Sequence, residues 1–327
     1  MDTYLLDGAP GRTAKISGKE YLFFSGYAYL GVQQVPEFIA LVKEGTDKYG
    51  WLHPSSRISN TRLALFEECE ALLSYITGCE STVLLPSGFT AGQLATQKWA
   101  GSITNLQPSH PAIQTPNPAE PTGVYAVDAV NVLTAAITDF YKVNSLPGLQ
   151  TLIIDDSHGI GLIGNNGSGA GSLFKRHNNV EYIFTYSLSK AIGINGGAIS
   201  CPATMAGWFR SQPVYTASTG PSPALLYAIL KGQHIYQAQR EKLRQNVLYF
   251  MQLAQNIPGI AYHPSLPIFV FLQGVDEQAL LNNNIIISSF AYPNPAGKKI
   301  QRVVLNALHT KTDLGFLAQQ LVMDTKL

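Results

Sequence analysis

The chain has 327 residues, enough to bury a large core and to form two domains. Only 13% are charged against 46% hydrophobic; an average chain carries about 25% charged residues, so extensive surface is expected to be covered, as in an oligomer interface. A net charge of +1 leaves no electrostatic footprint for nucleic acid, and Cys69, Cys79 and Cys201 have neither disulfide-framework nor metal-ligand spacing, so no metal site is expected.

The opening Met1-Asp2-Thr3-Tyr4 is acidic and lacks an apolar run, so no signal peptide is read. No apolar run approaches a membrane span, and a cytoplasmic protein is the expectation. Residues 1–35 read as an N-terminal segment with short strands such as Tyr21-Leu22-Phe23-Phe24. A helical pattern passes through Phe38 to Val42, and another covers 63–75, where Leu65, Cys69, Leu72 and Leu73 recur at helical spacing and Thr77-Gly78 marks the stop. Cys69 and Cys201 read as small core residues.

The strand Thr82-Val83-Leu84-Leu85, the turn Pro86-Ser87-Gly88 and a helix over 90–99 come next. Strand, glycine turn and helix place backbone N–H groups where a phosphate can sit. Residues 105–123 carry Pro108, Pro111, Pro116, Pro118 and Pro121 and predict an extended loop. The pattern then predicts a helix over 129–141, a strand at Thr151–Asp155 and a strand through Tyr182-Ile183-Phe184. Continuous apolar strands alternating with helices indicate a mostly parallel sheet covered on both faces, an α/β architecture whose ligands bind at the strands' carboxyl ends. One long helix over 223–255, strands at 268–272, 285–289 and 302–306, and a last helix from Asp313 read as a connector and a smaller α+β domain. The expected division is therefore 1–35, a large domain over 36–222 and a small one over 223–327.

Two strand ends carry chemistry. Lys190 lies in Ser187-Leu188-Ser189-Lys190 just after one apolar strand, and Asp155 ends another in Ile153-Ile154-Asp155-Asp156-Ser157-His158-Gly159. A Schiff-base lysine with an aspartate for a pyridinium nitrogen is what a pyridoxal 5′-phosphate enzyme needs. Taken singly, each feature has a plainer reading: a lysine after serines as a solvated surface group, an Asp-Asp pair as a turn or cap.

Four stretches extend the pattern: Tyr49-Gly50 with Ser55-Ser56-Arg57, Pro86-Ser87-Gly88-Phe89-Thr90-Ala91, Asp155-Asp156-Ser157-His158-Gly159, and Ser187-Leu188-Ser189-Lys190. With Tyr21 to Gly31 before them, they resemble the α-oxoamine synthases, fold-type I pyridoxal-phosphate enzymes, over most of the chain. The resemblance implies a large domain with a mostly parallel sheet and a smaller C-terminal α+β domain. It implies that an amino acid condenses with an acyl-CoA or other acyl thioester, in a homodimer with shared sites and with no membrane or nucleic-acid partner. Lys190 becomes the Schiff-base lysine and the base at the substrate Cα, and Asp155 the pyridinium partner. His158 falls near the cofactor's phenolic oxygen, and His110 stacks on its ring. Ser87, Gly88, Phe89 and Ser187 lie toward the phosphate, with Thr216 and Ser218 offered by a second subunit. Arg302 grips the amino-acid carboxylate, and Arg57 is a further substrate-binding candidate.

The chain also departs from the family. It is shorter, with Pro-rich sequence after His110 where a strand-and-helix unit stands. Ala126 replaces a serine, and Trp51-Leu52-His53-Pro54 replaces a Gly-rich stretch. The same cofactor core serves aminotransferase and aldolase-type reactions, and a non-catalytic partner protein built on this fold is a further alternative.

Overall fold

The computed structural model describes residues 3–324. The chain begins with a hairpin, β1 (Thr13–Ile16) and β2 (Lys19–Phe24), paired antiparallel from Thr13↔Leu22 to Ile16↔Lys19. Its turn residues Ser17 and Gly18 have φ of 50° and 78°, the left-handed pair that a two-residue hairpin turn requires, and both donate their N–H to the Asp7 carboxylate. Helices α1 (Pro36–Tyr49) and α2 (Ala64–Thr77) follow. In α2 the apolar stripe buries Leu65, Phe66, Cys69 and Leu73, and left-handed Gly78 ends the helix as its sequence signalled.

Strand β3 (Ser81–Leu85) leads through Pro86 and Ser87 into α3 (Gly88–Gln97), then β4 (Ile103–Asn105) and β5 (Val124–Asp128). The expected helix over 129–141 does not form. Two-residue strands β6 (Val130–Asn131) and β7 (Ala136–Ile137) pair with each other, and helix appears only in α4 (Phe140–Asn144). Ala135 explains the break: its φ of 51° lies in the left-handed region, which a right-handed helix cannot contain.

The next elements are β8 (Thr151–Asp155), β9 (Glu181–Ser187) and β10 (Gly197–Cys201), followed by α5 (Ala203–Ser211) and α6 (Pro213–Thr216). The long helix expected over 223–255 is two, α7 (Pro223–Lys231) and α8 (Gln233–Ala254), parted at Gly232. The chain finishes with β11 (Ile260–Tyr262), β12 (Ile268–Phe271), α9 (Glu277–Asn282), β13 (Ile285–Ala291), β14 (Lys299–Val304) and α10 (Lys311–Asp324).

The chain divides into two compact units. The larger takes Val35–Val130 and Thr138–Tyr236, and holds a six-stranded sheet in the order β3-β10-β9-β8-β5-β4. Neighbours from β9 to β4 run parallel, while β10 is antiparallel to both β9 and β3. Burial on both faces explains why the strands read as unbroken apolar runs. Val83, Ile153, Ile183 and Ile199 are fully buried in one cluster with Leu94 of α3 and Phe209 of α5. Each such side chain contributes about 1.5–3 kcal/mol by leaving water.

The smaller unit takes Met1–Gln34, Asn131–Ile137 and Gln237–Leu327. Its sheet runs β1-β2-β13-β14-β12-β11, with β2 and β13 parallel and the remaining neighbours antiparallel. Arg12 reaches Asp313 with two hydrogen bonds of 2.6 and 2.7 Å, joining the start of the chain to α10 within this unit. Among the described residues, no helix is long and apolar enough to cross a membrane.

Candidate active site at the carboxyl ends of the large sheet

Two parallel strands, β5 and β8, end level with one another, and the third, β9, runs two residues further to Ser187. Asp128 of β5 is in register with Asp155 of β8, and Asp155 with Thr185 of β9. Side chains in register on parallel strands share a face, so one edge presents two carboxylates and a hydroxyl. Asp155 is only 6% exposed. Its Oδ1 accepts the Ser157 N–H at 3.0 Å, and its Oδ2 lies 3.7 Å from Nδ1 of His110. Asp156 serves elsewhere. Its Oδ2 accepts the Ala170 N–H at 2.8 Å, and its carboxyl fills a slot that a Cβ at Gly159 or Gly169 would invade to 1.9 Å. Burial, with the charge of Asp155 adding to it, holds the Asp156 carboxyl well above the usual range despite the Ala170 bond, and its contacts are those of a structural group.

His110 belongs to the connector between β4 and β5. Its Nδ1 accepts the Ala112 N–H at 3.1 Å, which puts the proton of the neutral ring on Nε2. Burial pushes its pKa down; Asp155 opposes that and Lys190 adds to it. The His110 backbone N–H donates to the Asp128 carboxylate, at 2.9 Å to Oδ2 and 3.2 Å to Oδ1. Burial and the charge of Asp155 push the Asp128 carboxyl up to about 7, against the pull of that N–H and of Lys190. The charge on Lys190 thus acts on His110 and Asp128 alike. Lys190 is half-buried in the turn after β9, a turn closed by Leu188 N–H to Gly196 O at 3.0 Å and Ile194 N–H to Leu188 O at 3.0 Å.

The other end of the site is built from α3 and the end of β9. Ser87 caps α3 with a capping box: its Oγ accepts the Thr90 N–H, and the Thr90 hydroxyl accepts the Ser87 N–H. This cap starts the helix at Gly88, earlier than the expected 90. Ser187 packs against it so closely that a Cβ at Gly88 would sit 2.6 Å from the Ser187 Cβ. The Ser187 and Ser189 hydroxyls are 2.8 Å apart, and the Ser187 N–H donates to the Ser157 hydroxyl at 3.0 Å. Phe89 is half exposed, and His158 is half-buried in the turn after Ser157.

The structure therefore gathers Ser87, Gly88, His110, Asp155, Ser187 and Lys190 at the ends of one sheet. Sequence reasoning missed Asp128 and Ser157 as parts of this site. Asp128 had a signal, since it too ends an apolar strand.

Other expected residues have different surroundings. The buried Arg57 donates to Glu70 Oε1 at 3.0 Å and stacks its guanidinium 4.1 Å from the Phe66 ring centre and 5.0 Å from that of Tyr215. Glu70 is shared with Arg210 at 2.8 Å. The Thr216 carbonyl accepts the Ser56 hydroxyl at 2.5 Å, and the Ser218 hydroxyl donates to the Val214 carbonyl. Arg302 lies in the smaller unit, half-buried on β14, where Nη1 donates to the Val132 carbonyl at 3.3 Å. Burial pushes its pKa down, with Tyr29 and Tyr292 opposing. Cys69 and Cys201 are buried free thiols, and burial pushes both up to about 12, so they are inert core residues.

These features fit pyridoxal phosphate. A buried carboxylate needs an opposite charge, and at Asp155 the neutral His110 ring supplies none. The buried Thr185 Oγ1, level with Asp155, has no hydrogen-bond partner among the described residues. In the first turn of α3 the Thr90 N–H is taken by the Ser87 cap, whereas the N–H groups of Gly88 and Phe89 precede the first helical acceptor and adjoin Ser187, an arrangement suited to a phosphate.

Comparison with known proteins agrees. The family model for aminotransferase class I and II matches residues 73–321. The 8-amino-7-oxononanoate synthases of Fervidobacterium nodosum and Thermosipho melanesiensis are each 26% identical, covering 95% and 97% of this chain and 90% and 92% of theirs. The first alignment runs over 356 positions, more than the 327 residues here, so the relative carries residues that this chain lacks. Serine palmitoyltransferase from S. paucimobilis superposes with a TM-score of 0.86 at 18% identity, over 99% of this chain and 92% of that one. 8-Amino-7-oxononanoate synthase from Francisella tularensis gives 0.76 at 20% identity, over 94% and 98%. The chain belongs to the aminotransferase class I and II family, as a pyridoxal-phosphate-dependent transferase of the α-oxoamine synthase group.

Proposed function

We propose that this chain condenses an amino acid with an acyl-CoA or related acyl thioester to give an α-oxoamine. What carries the reading is the Asp155–His110–Lys190 set at the strand ends, in a chain that aligns over 95% of its length with an 8-amino-7-oxononanoate synthase. In that reaction a carbon–carbon bond forms between the amino acid's Cα and the acyl carbonyl carbon, and the thiol leaves.

Bound at this site, pyridoxal phosphate supplies an electron sink for the electron pair at the amino acid's Cα. Lys190 would hold it covalently and carry the Cα proton. Asp155 would keep a proton on the ring nitrogen, because a buried anion favours the protonated form of a neighbour. His110 would pack against the ring, with His158 toward the phenolic oxygen. Ser87, Gly88, Phe89 and Ser187 would hold the phosphate at the start of α3. We infer further that the working unit is a homodimer in which Thr216 and Ser218 face the other copy's phosphate site; sedimentation at the mass of one chain under assay conditions would remove that inference.

Supplying the loaded protein with amino acids and acyl-CoAs should give saturable release of free thiol only when both substrates are present. Amino transfer to an oxo acid with no thiol release from any pair would replace this reading with an aminotransferase. Arg302 would grip the amino-acid carboxylate: a half-buried guanidinium is costly without an anion, and such charge-assisted bonds contribute about 1.5–3 kcal/mol. Arg302→Ala should therefore raise the amino-acid KM at least about tenfold while leaving the acyl-thioester KM near its starting value. An unchanged amino-acid KM would leave Arg302 as a strand residue held by Val132.

A further inference from the structure

Asp128 has no assigned role, yet two independent features tie it to the site. Register sets it level with Asp155 on the neighbouring strand. Its carboxylate also accepts the backbone N–H of His110, at 2.9 and 3.2 Å. The connector carrying His110 runs from Asn105 to Val124 without a helix. Its local bonds, such as Ile113 N–H and Gln114 N–H to the His110 carbonyl and Ser109 N–H to Gln114 Oε1, shape the turn, while Asp128 ties that turn to the sheet. Asp128 clamps it twice: the main-chain carbonyl accepts from Gln107 Nε2 at 3.4 Å while the carboxylate takes the His110 N–H. The Thr138 hydroxyl donates to that same carbonyl at 2.6 Å and fixes Asp128 in turn. A neutral side chain could accept one N–H. A second carboxylate beside Asp155 carries an electrostatic cost that a mere loop anchor does not require.

We propose that Asp128 is a positioning residue of the active site: it holds the backbone of His110 beside Asp155 and, with Asp155, supplies the negative charge that faces Lys190. The charged and titratable groups around it are Asp155 on β8, His110 on the connector and Lys190 in the turn after β9. Burial and Asp155 raise its carboxyl from an ordinary 3.8 to about 7. The sign follows. A raised carboxyl favours the folded state fully below its unfolded pKa, and that contribution disappears as pH climbs through about 7.

The proposal rests on the cofactor reading only for its last readout, so the first two use protein stripped of cofactor. Asp128→Ala should lower hydrogen-exchange protection of the His110 amide at least about tenfold, and Asp128→Asn, which keeps an acceptor and the shape, should lower it less. The melting temperature of Asp128→Asn should also gain on wild type between about pH 4 and 7, because the titrating group is gone. In the loaded protein, the pH midpoint of the cofactor's absorbance should fall by about half a unit or more in Asp128→Asn, since an anion near Lys190 is lost. Equal protection of His110 in all three proteins would overturn the proposal, as would stability–pH curves of wild type and Asp128→Asn that run parallel. If the alanine variant does not fold, the asparagine comparison decides alone. A normal result in stripped protein with no cofactor uptake by wild type would strike the cofactor reading instead.

Discussion

Replacing Lys190 with alanine is expected to lower turnover at least about a thousandfold and to abolish covalent retention of the cofactor. A positioned base contributes about 10²–10⁴ to rate, and a thousandfold corresponds to about 4 kcal/mol of barrier. Lys190 is suited to that role by placement. It stands in a closed turn at the end of β9; burial dominates the pKa of both His110 and Asp128, and the Lys190 charge adds to the fall of the first and opposes the rise of the second. It is half-buried and outside the apolar cluster under the sheet, so its loss should leave the fold intact. Borohydride reduction of the loaded wild type, followed by peptide mapping, should put the cofactor's mass on the peptide containing Lys190. Label on another lysine, or a variant that keeps a tenth of wild-type turnover, would remove Lys190 from the centre of the chemistry.

How far the sequence reveals this site depends on what a linear pattern can encode. Strands β8 and β9 are legible because both faces of a parallel sheet are covered, which leaves runs such as Thr151–Asp155 with no polar interruption. Lys190 and Asp155 stand out because each follows such a run. Asp128 follows one too, yet its meaning depends on the register with Asp155 and on a bond to a backbone N–H eighteen residues away. Neither leaves a mark in local sequence. Ser157 is similar, since its hydroxyl serves Ser187, thirty residues on.

The misses have local causes. Residues 129–141 place apolar side chains at helical spacing, but the backbone turns left-handed at Ala135. The connector after α7 reads as uninterrupted helix because Gly232 costs a helix only about 1 kcal/mol in propensity, while a Cβ there would press to 2.7 Å on the Ala228 carbonyl. Glu70 sits inside the pattern of α2 like any solvated glutamate. It is buried because Arg57 and Arg210 pair with it from separate parts of the chain, and that pairing fixes how Arg57 is held.

Asp155→Asn should keep the fold, weaken cofactor binding modestly and lower turnover at least about a hundredfold. Asparagine can still accept the Ser157 N–H that now reaches Oδ1 at 3.0 Å, so the turn that ends β8 survives. What disappears is charge. The carboxylate is 6% exposed, and the imidazole 3.7 Å away has its Nδ1 occupied by the Ala112 N–H and its pKa depressed, so it offers no positive charge. A protonated ring nitrogen of the cofactor is the cation that would offset the burial of Asp155, and an amide cannot hold that proton in place. Each tenfold loss of rate is about 1.4 kcal/mol, so a hundredfold effect demands about 2.7 kcal/mol, within reach of one buried charge pair. A second signature separates this role from a structural one. The charge of Asp155 is the second cause of the raised Asp128 carboxyl, so in Asp155→Asn that group should titrate lower, and the stability–pH curve of stripped protein should shift toward acid. Turnover within about threefold of wild type would show that the negative charge at the end of β8 is not the partner of the ring nitrogen. Asp128, level with it on β5 and already anchoring His110, would then be the carboxylate to test in its place.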